Sequence, residues 1–279
     1  MQSYDKPNKN TVTAFTLVEL LVVIAIIALL TSILMPSLSV ARSYAREIVC
    51  RSNIRQLSLA NIGYAMGNDD CYVPAASDMY LSNGGYHRWH GVRKDENELF
   101  DPSKGPLASF LNNGEVKECP QRAGFRKGDD WNTNYEQGCG GYGYNQTYIG
   151  SRIWQFGWSP QAFMKTSRIT EVAKSAETIM FADCAMANKD STGNSYIHEY
   201  SFAEPPFWLN NGKPATDWGY ASPSIHFRHR YKANVSWVDG HVSSKNRAEY
   251  DGNNGYGIKS ANFNIGWFEP LDNSLFDLK

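Results

Sequence analysis

The residues best suited to chemistry lie in the C-terminal half of the chain, where histidines and aspartates gather. His226, His229, Asp239 and His241 follow one another closely, and Asp183 stands near the end of a separate apolar run. Imidazole nitrogens and carboxylates are common metal ligands, so these side chains could build a metal site. We favour a simpler hypothesis, in which Asp239 serves a hairpin turn and His229 hydrogen-bonds across to it.

Motifs that would indicate catalysis are absent from the sequence. It contains no GxSxG or HExxH pattern and no recognisable Cys/His nucleophile arrangement. The paired acids at 69–70 and 129–130 lie in polar, Gly-rich stretches, which favours solvated turns over an acid–base pair. The Gly-rich segment 138–150 lacks the strand and helix that flank a nucleotide-binding loop. We therefore expect no enzymatic activity, no catalytic residue and no bound cofactor.

Composition limits the partners. The 279 residues carry 27 Lys and Arg against 28 Asp and Glu, a net charge of −1, which does not favour nucleic acid as a partner. Frequent Gly and aromatic residues between short apolar runs predict a β-rich domain.

The cysteines form no CxxC pair, so they would supply up to two disulfides after export or remain buried thiols; they are Cys50, Cys71, Cys119, Cys139 and Cys184.

Aromatic residues cluster in three segments, 86–91, 152–159 and 205–212. Aromatic faces with polar neighbours suit carbohydrate and protein partners alike. The same side chains would equally fill a core or pack between subunits. Both alternatives stay open from the sequence.

The N-terminal part of the chain is apolar enough to enter a membrane, yet it contains Glu19. Eleven consecutive apolar residues run from Leu20 to Leu30, and the apolar character extends over 15–35. About 20 helical residues cross a bilayer, and Lys6 and Lys9 before the run favour a cytoplasmic N-terminus. A secretory signal peptide would be shorter, and a plain anchor leaves the carboxylate of Glu19 unexplained.

The helical pattern continues beyond the membrane-length segment. Apolar and small residues recur at spacings of three and four from Cys50 through Ile54 and Leu57 to Tyr64, which predicts one stripe of a helix. Gly67 and the polar residues after it are a stop signal. We predict a single helix from about residue 16 to about residue 66, with its second half packed on a globular domain.

The remainder, 68–279, shows short runs separated by turns. Residues 176–184 predict a buried strand, and the Gly-Tyr-rich segment predicts a strand with close backbone approach. The pair Asp239-Gly240 between two alternating runs predicts a two-residue hairpin turn. In that register Trp237 would lie opposite Val242.

Residues 14–19, Ala-Phe-Thr-Leu-Val-Glu, followed by the apolar run, resemble the N-terminus of type IV prepilins and type II secretion pseudopilins. The resemblance implies cleavage by prepilin peptidase between Ala14 and Phe15, and methylation of the new amine on Phe15. It implies that Glu19 meets the N-terminus of a neighbouring subunit, and Pro36 stands where these helices commonly have a proline. The family usually has Gly before the cut, so Ala14 departs from the pattern.

A second resemblance lies near the C-terminus. His229, nine residues, then Asp239-Gly240 is similar to the H-x9-D-G element of many prepilin-like proteins of planctomycete and lentisphaera type. Other segments that match their usual surroundings are 50–57, 119–120, 141–145 and 181–183. By analogy with calcium-binding loops of secretion pseudopilins, Asp183 and Asp239 would be the first two ligands of a possible calcium ion.

The resemblance implies an α+β, pilin-like fold: a leader at 1–14, a transmembrane and assembly helix at 15–36, its amphipathic continuation at 37–67, and a periplasmic, mainly antiparallel β domain at 68–279. It implies a single-pass inner-membrane protein that joins other pilin or pseudopilin subunits in a secretion pseudopilus or a type IV pilus. The alternative is an anchored surface protein that does not assemble and binds polysaccharide or a protein partner.

Overall fold

The computed structural model describes residues 16–121, 124–126 and 136–279. It divides into two compact units, Met1–Ala45 and Arg46–Lys279. Helix α1 begins at Leu17 and ends at Met66, so its first part belongs to the first unit and its last part to the second. The predicted helix over about 16–66 is confirmed.

In the first unit, the described residues form the apolar part of α1. Its large apolar side chains from Leu17 to Val40 are all exposed to the surroundings. The helix is long and apolar enough to cross a membrane. Its hydroxyl side chains bond back to the helix itself: the Thr31 hydroxyl donates to the carbonyl of Ile27, and the Ser32 hydroxyl to that of Leu29. Polar groups satisfied in this way are tolerated in lipid.

In the second unit, the last part of α1 packs against the β domain through the predicted stripe. Cys50, Ile54 and Leu57 are buried in the main core, as expected for one face of an amphipathic helix. On the same stripe, the side-chain oxygen of Asn61 accepts a hydrogen bond from the backbone N–H of Val73 at 2.9 Å. This bond connects the helix to the first loop after it.

In the part of the second unit that the structure describes, the other elements are short. The two further α-helices found there have one turn each, α2 (Ile153–Phe156) and α3 (Pro160–Phe163). The strands in its described residues are β1 (His87–Arg88), β2 (Gly91–Val92), β3 (Tyr142–Tyr144), β4 (Ile179–Asp183), β5 (Met186–Lys189), β6 (Ser195–His198), β7 (Leu209–Asn210), β8 (Lys213–Pro214), β9 (Ile225–His226), β10 (Lys232–Trp237), β11 (Val242–Asn246) and β12 (Ile265–Gly266).

The central sheet has four strands in the order β11-β10-β4-β3, and all its pairs are antiparallel. The other strands form antiparallel pairs, β1-β2, β5-β6, β7-β8 and β9-β12. The predicted buried strand at 176–184 is β4, in which every side chain is buried. A long N-terminal helix followed by mainly antiparallel sheets confirms the predicted α+β, pilin-like fold class.

The hairpin between β10 and β11 forms, but the predicted register is wrong by one residue. Ser236, not Trp237, lies opposite Val242. The turn contains three residues instead of two: the backbone N–H of Gly240 donates to the carbonyl of Trp237 at 2.9 Å, and Gly240 has φ of 86°. A type I turn closed by a left-handed glycine produces this three-residue loop.

Close backbone approach is confirmed at the Gly-Tyr-rich strand β3. A Cβ atom on Gly143 would lie 2.4 Å from the Cys184 sulfur and 2.6 Å from the carbonyl carbon of Phe202. Glycine is therefore required here by the neighbours of the strand, since any side chain would overlap them. The flanking residues Tyr142 and Tyr144 are both fully buried.

Candidate functional site

Among the described residues, three features bear on function: the start of α1, a buried group of side chains beneath its second half, and an aromatic cavity. At the start of α1, the carboxylate of Glu19 accepts hydrogen bonds from the backbone N–H of Thr16 at 2.9 Å and from its hydroxyl at 2.7 Å. The backbone N–H of Glu19 donates in turn to the Thr16 hydroxyl at 3.2 Å. This reciprocal arrangement is a capping box, which satisfies free N–H groups of a helix N-terminus.

The other residues predicted for processing and assembly lie at or near this end. Ala14 and Phe15 are outside the described residues. Pro36 lies inside α1, and the helix continues through it. Proline removes one helical hydrogen bond. Next to it, the Ser37 hydroxyl donates to the carbonyl of Leu34 at 2.9 Å.

The buried group brings together four side chains that could bind a metal ion. We call it the Cys–Asp–His cluster. Its members come from the last part of α1, from the loop before β3, from the end of β4 and from the turn before β10; they are Cys50, Cys119, Asp183 and His229. Their ligand atoms all lie within 4.8 Å of one another, and every member is at most 1% exposed.

Contacts within the cluster are direct. The Cys50 sulfur lies 3.2 Å from an oxygen of Asp183. Nε2 of His229 lies 3.3 Å from the other oxygen of Asp183 and 3.5 Å from the Cys119 sulfur. Each member therefore contacts at least one other member through the atom that would serve as a ligand.

A tight turn directs His229 into the cluster. His229 and Lys232 exchange both backbone hydrogen bonds, at 2.9 and 3.0 Å. The two residues between them, Arg230 and Tyr231, have φ of 53° and 62°. A two-residue turn of this left-handed type matches the twist of a hairpin but strains residues that carry a side chain.

Arg228 supplies the positive charge beside the cluster. Its guanidinium donates to Asp183 at 2.7 Å, to the carbonyl of Gly141 at 2.5 Å and to the Cys119 sulfur at 3.3 Å. Two more groups point at the cluster from outside: the Tyr142 hydroxyl lies 3.5 Å from the Cys50 sulfur, and the backbone N–H of Asn234 donates to Asp183 at 2.7 Å.

These neighbours shift the ionisation of the cluster. Burial opposes the charge on Asp183, but Arg228 and the hydrogen bond to His229 outweigh burial and lower the pKa of Asp183 to about 2. Burial likewise opposes the charged ring of His229, yet the hydrogen bond to Asp183 raises its pKa to about 9. The hydrogen bond with Cys50, together with Arg228, lowers the pKa of Cys119 to about 4, whereas burial raises the pKa of Cys50.

The predicted metal ligands do not all meet. Asp183 lies in the cluster, but Asp239 lies on the exposed β10–β11 turn, where its carboxylate is 2.7 Å from Nδ1 of His241. The favoured hypothesis placed Asp239 correctly in a hairpin turn, yet the partner of His229 is Asp183 and not Asp239. His226 is buried on β9, with Nδ1 3.2 Å from the Arg228 guanidinium.

Sequence reasoning missed two members of the cluster. The sequence predicts Cys50 and Cys119 as disulfide candidates or buried thiols, and Cys50 also as part of the helix stripe, but neither as a metal ligand. All five cysteines are free thiols, and four of them are buried. These four residues lie in four separate segments of the sequence, and no local spacing connects residues so far apart.

A third feature is an aromatic cavity of about 270 Å³. Trp158 and Trp208 come from two of the predicted aromatic segments and meet in its wall with ring centroids 5.4 Å apart. Polar groups also reach it, including Glu204, which is buried and accepts a hydrogen bond from the Tyr200 hydroxyl at 2.9 Å. In contrast, Trp89 of the first aromatic segment is fully buried in the core.

Comparison with known proteins identifies a family at the N-terminus. Residues 9–35 match the family model described as the prokaryotic N-terminal methylation motif. No curated protein and no solved structure matches the chain. The matched segment contains Glu19 and most of the exposed apolar part of α1. The N-terminal segment is therefore similar to that of type IV prepilin-like proteins, in which a methylation motif precedes an apolar helix able to enter a membrane.

Proposed function

We propose that the protein is a structural subunit of a pseudopilus or type IV pilus-like filament, serving a type II secretion system. Prepilin peptidase would remove residues 1–14 and methylate Phe15. Other pilin or pseudopilin subunits would then be its partners. The single observation that carries this proposal is the methylation motif at 9–35 joined to an apolar helix whose side chains are exposed.

Exposed apolar side chains along a membrane-length helix suit such a subunit both in the membrane and in the filament. In the membrane they contact lipid, and in a filament they would pack against the same helix of other copies. Glu19 would then be paired with the amine of a neighbouring subunit's Phe15, because a carboxylate in an apolar bundle needs a partner. We place residues 15–36 in the assembly region and 37–67 in the continuation toward the β domain.

Orientation follows from charge. Lys6 and Lys9 precede the apolar run, so the N-terminus would stay in the cytoplasm and the β domain would lie in the periplasm. After assembly the domain would be displayed on a filament. A structural role of this kind needs no catalytic residue.

The decisive experiment is mass spectrometry of the mature N-terminus, using the full chain isolated from its native host. We expect the protein to begin with N-methylated Phe15. An intact Met1, or a cleavage near Ala41 or Ala45, would contradict the proposal. An Ala14→Gly variant, which restores the more usual residue before the cut, should be processed at least as completely as the wild type.

The aromatic cavity supports a second candidate function, a membrane-anchored surface protein that binds polysaccharide without assembling. Trp158 and Trp208 offer aromatic faces, and Glu204 and Asn188 offer polar groups beside them, the combination that sugars require. A panel of soluble polysaccharides, titrated against the full chain in detergent, tests it. Trp208→Ala should weaken binding at least tenfold, whereas Trp218→Ala, at a 61% exposed position outside the cavity lining, should not.

Two variants, Trp208→Ala and Glu19→Ala, distinguish the two candidates. If the protein works only as a filament subunit, Trp208→Ala leaves filament yield unchanged and no polysaccharide binds the wild type. If it works only as an anchored binding protein, Glu19→Ala leaves polysaccharide binding unchanged and no filament forms in the wild type. Filament yield and polysaccharide affinity should therefore be measured on the same preparations.

A further inference from the structure

We propose that the Cys–Asp–His cluster binds one zinc ion, which connects the second half of α1 to the β domain. This inference is independent of the proposed function, since it concerns the second unit alone. It rests on the positions of the four ligand atoms, their chemical types and the charge around them.

The geometry fits a tetrahedral ion. With zinc bonds of about 2.3 Å to sulfur and about 2.0 Å to nitrogen or oxygen, ligand atoms in a tetrahedral site stand about 3.3 to 3.8 Å apart. In the structure the separations are 3.2 Å from the Cys50 sulfur to Oδ1 of Asp183, 3.3 Å from Oδ2 of Asp183 to Nε2 of His229, and 3.5 Å from the Cys119 sulfur to Nε2 of His229. One ligand atom from each of the four residues lies within 4.8 Å of the other three, so side-chain adjustments would bring them to tetrahedral separations.

The donor set selects zinc over the calcium considered for Asp183 from the sequence. Two thiolates and one imidazole are soft or borderline ligands, which zinc accepts and calcium does not. Calcium requires six to eight oxygen ligands, and the cluster contributes one carboxylate, that of Asp183. Four buried protein ligands are typical of a structural site, because a catalytic zinc keeps one position open to water.

Charge supports the same assignment. Bound to zinc, Cys50, Cys119 and Asp183 would each carry one negative charge, and His229 would be neutral. The Arg228 guanidinium contributes one positive charge at 2.7 Å from Asp183. The net charge of −2 that remains would be cancelled by one divalent cation, so the buried site would be neutral overall.

The surroundings provide the outer contacts that orient zinc ligands. Arg228 donates to the Cys119 sulfur, Tyr142 points its hydroxyl at the Cys50 sulfur, and Asn234 donates its N–H to Asp183. Such contacts fix ligand orientation and stabilise the anionic ligands. With Nε2 of His229 facing the ligand atoms, its proton would lie on Nδ1, which is buried and has no hydrogen-bond partner among the described residues.

The site would stabilise the fold because its ligands are far apart in sequence. Cys50 and Asp183 are separated by 133 residues, and Cys119 and His229 by 110. A bound ion closes these long loops and holds α1 against the sheet, as structural zinc does in other small folds.

The test uses the full chain, produced in zinc-supplemented medium and purified in detergent under reducing conditions without chelator. We expect about one zinc per chain by elemental mass spectrometry. X-ray absorption at the zinc edge should show two sulfur neighbours at about 2.3 Å and two nitrogen or oxygen neighbours at about 2.0 Å. Less than about a tenth of an equivalent of any metal, or a shell without sulfur, would overturn the proposal.

Matched variants locate the ion. Cys119→Ser should lower zinc content at least fivefold, whereas Cys139→Ser, which removes another fully buried thiol outside the cluster, should retain the wild-type content. If Cys119→Ser cannot be purified folded, the X-ray absorption of the wild type decides alone. A Cys50–Cys119 disulfide in peptides of the native-host protein would also overturn the proposal, because a disulfide removes both thiolates.

Discussion

The carboxylate of Glu19 caps the first turn of its own helix through Thr16, with hydrogen bonds of 2.9 Å to the backbone N–H and 2.7 Å to the hydroxyl. Glu19 therefore has a local role that depends on its acceptor oxygens and not on its charge. The proposed pairing with the amine of another subunit depends on the charge. The two roles can be separated by substitution.

Glu19→Gln should abolish filaments while leaving the helix intact. Gln keeps an acceptor for the capping box, so we expect a loss of less than about 1 kcal/mol in helix stability, but it removes the negative charge. Thr16→Ala is the matched control, since it removes the capping hydroxyl and keeps the charge. Filament yield in sheared cell fractions is the measurement. Wild-type yield from Glu19→Gln would rule out the charge-pairing role.

The buried carboxyl of Glu204 should make stability fall as pH rises. Burial raises the pKa of Glu204 to about 7 from an ordinary value of 4.5, so the folded state binds this proton more tightly than the unfolded state. The protonated carboxyl contributes its full stabilisation of the folded state below about pH 4.5, and this contribution is lost as pH rises through about 7. Relative to Glu204→Gln, the wild type should lose about 3 kcal/mol of unfolding free energy over that window.

Chemical denaturation at a series of pH values measures this difference. In Tyr200→Phe the loss of stability should extend to higher pH, because this variant lacks the hydroxyl that stabilises the ionised carboxylate of Glu204. Parallel pH profiles for the wild type and Glu204→Gln would show that the carboxyl does not control stability.

Gly143→Ala should destabilise the second unit severely. The added methyl group would lie 2.4 Å from the Cys184 sulfur and 2.6 Å from the Phe202 carbonyl carbon, and the latter is backbone that cannot rotate away. We expect a loss of at least about 2 kcal/mol, measured as a lower thermal midpoint. Gly67→Ala is the control, because its nearest neighbour, the Tyr64 carbonyl oxygen, is 3.7 Å away. Equal midpoints for the two variants would contradict the close approach.

Tyr231→Gly should stabilise the turn that positions His229. Tyr231 has φ of 62° and is 77% exposed, so Gly would relieve left-handed strain and lose little packing. We expect a gain of about 0.5 to 1 kcal/mol in unfolding free energy. Tyr256→Gly, at an exposed position that is not among the left-handed residues, should give no gain. A lower midpoint for Tyr231→Gly would show that the tyrosine side chain has a role of its own.

The hairpin at β10–β11 shows how far local sequence signals reach. Asp239 and Gly240 correctly predicted a turn, because few residues adopt the backbone angles that a reversal needs. They did not determine whether two or three residues form the loop. The three-residue loop places Ser236, not Trp237, opposite Val242. On its other edge β10 pairs with β4, where Trp237 lies opposite Ile179, and this pairing with a distant strand carries no local sequence signal.

By itself the sequence determined the long helix, its membrane-length apolar part, the methylation motif around Glu19 and the buried stripe from Cys50 to Tyr64. These features depend on the order of neighbouring residues and on helical periodicity, which are local properties. Only the tertiary structure brought Cys119, Asp183 and His229 to Cys50, since the sheet and a tight turn had to form first. Residues in four separate segments carry no spacing that reveals their contact, so the candidate metal site became visible only in the folded chain.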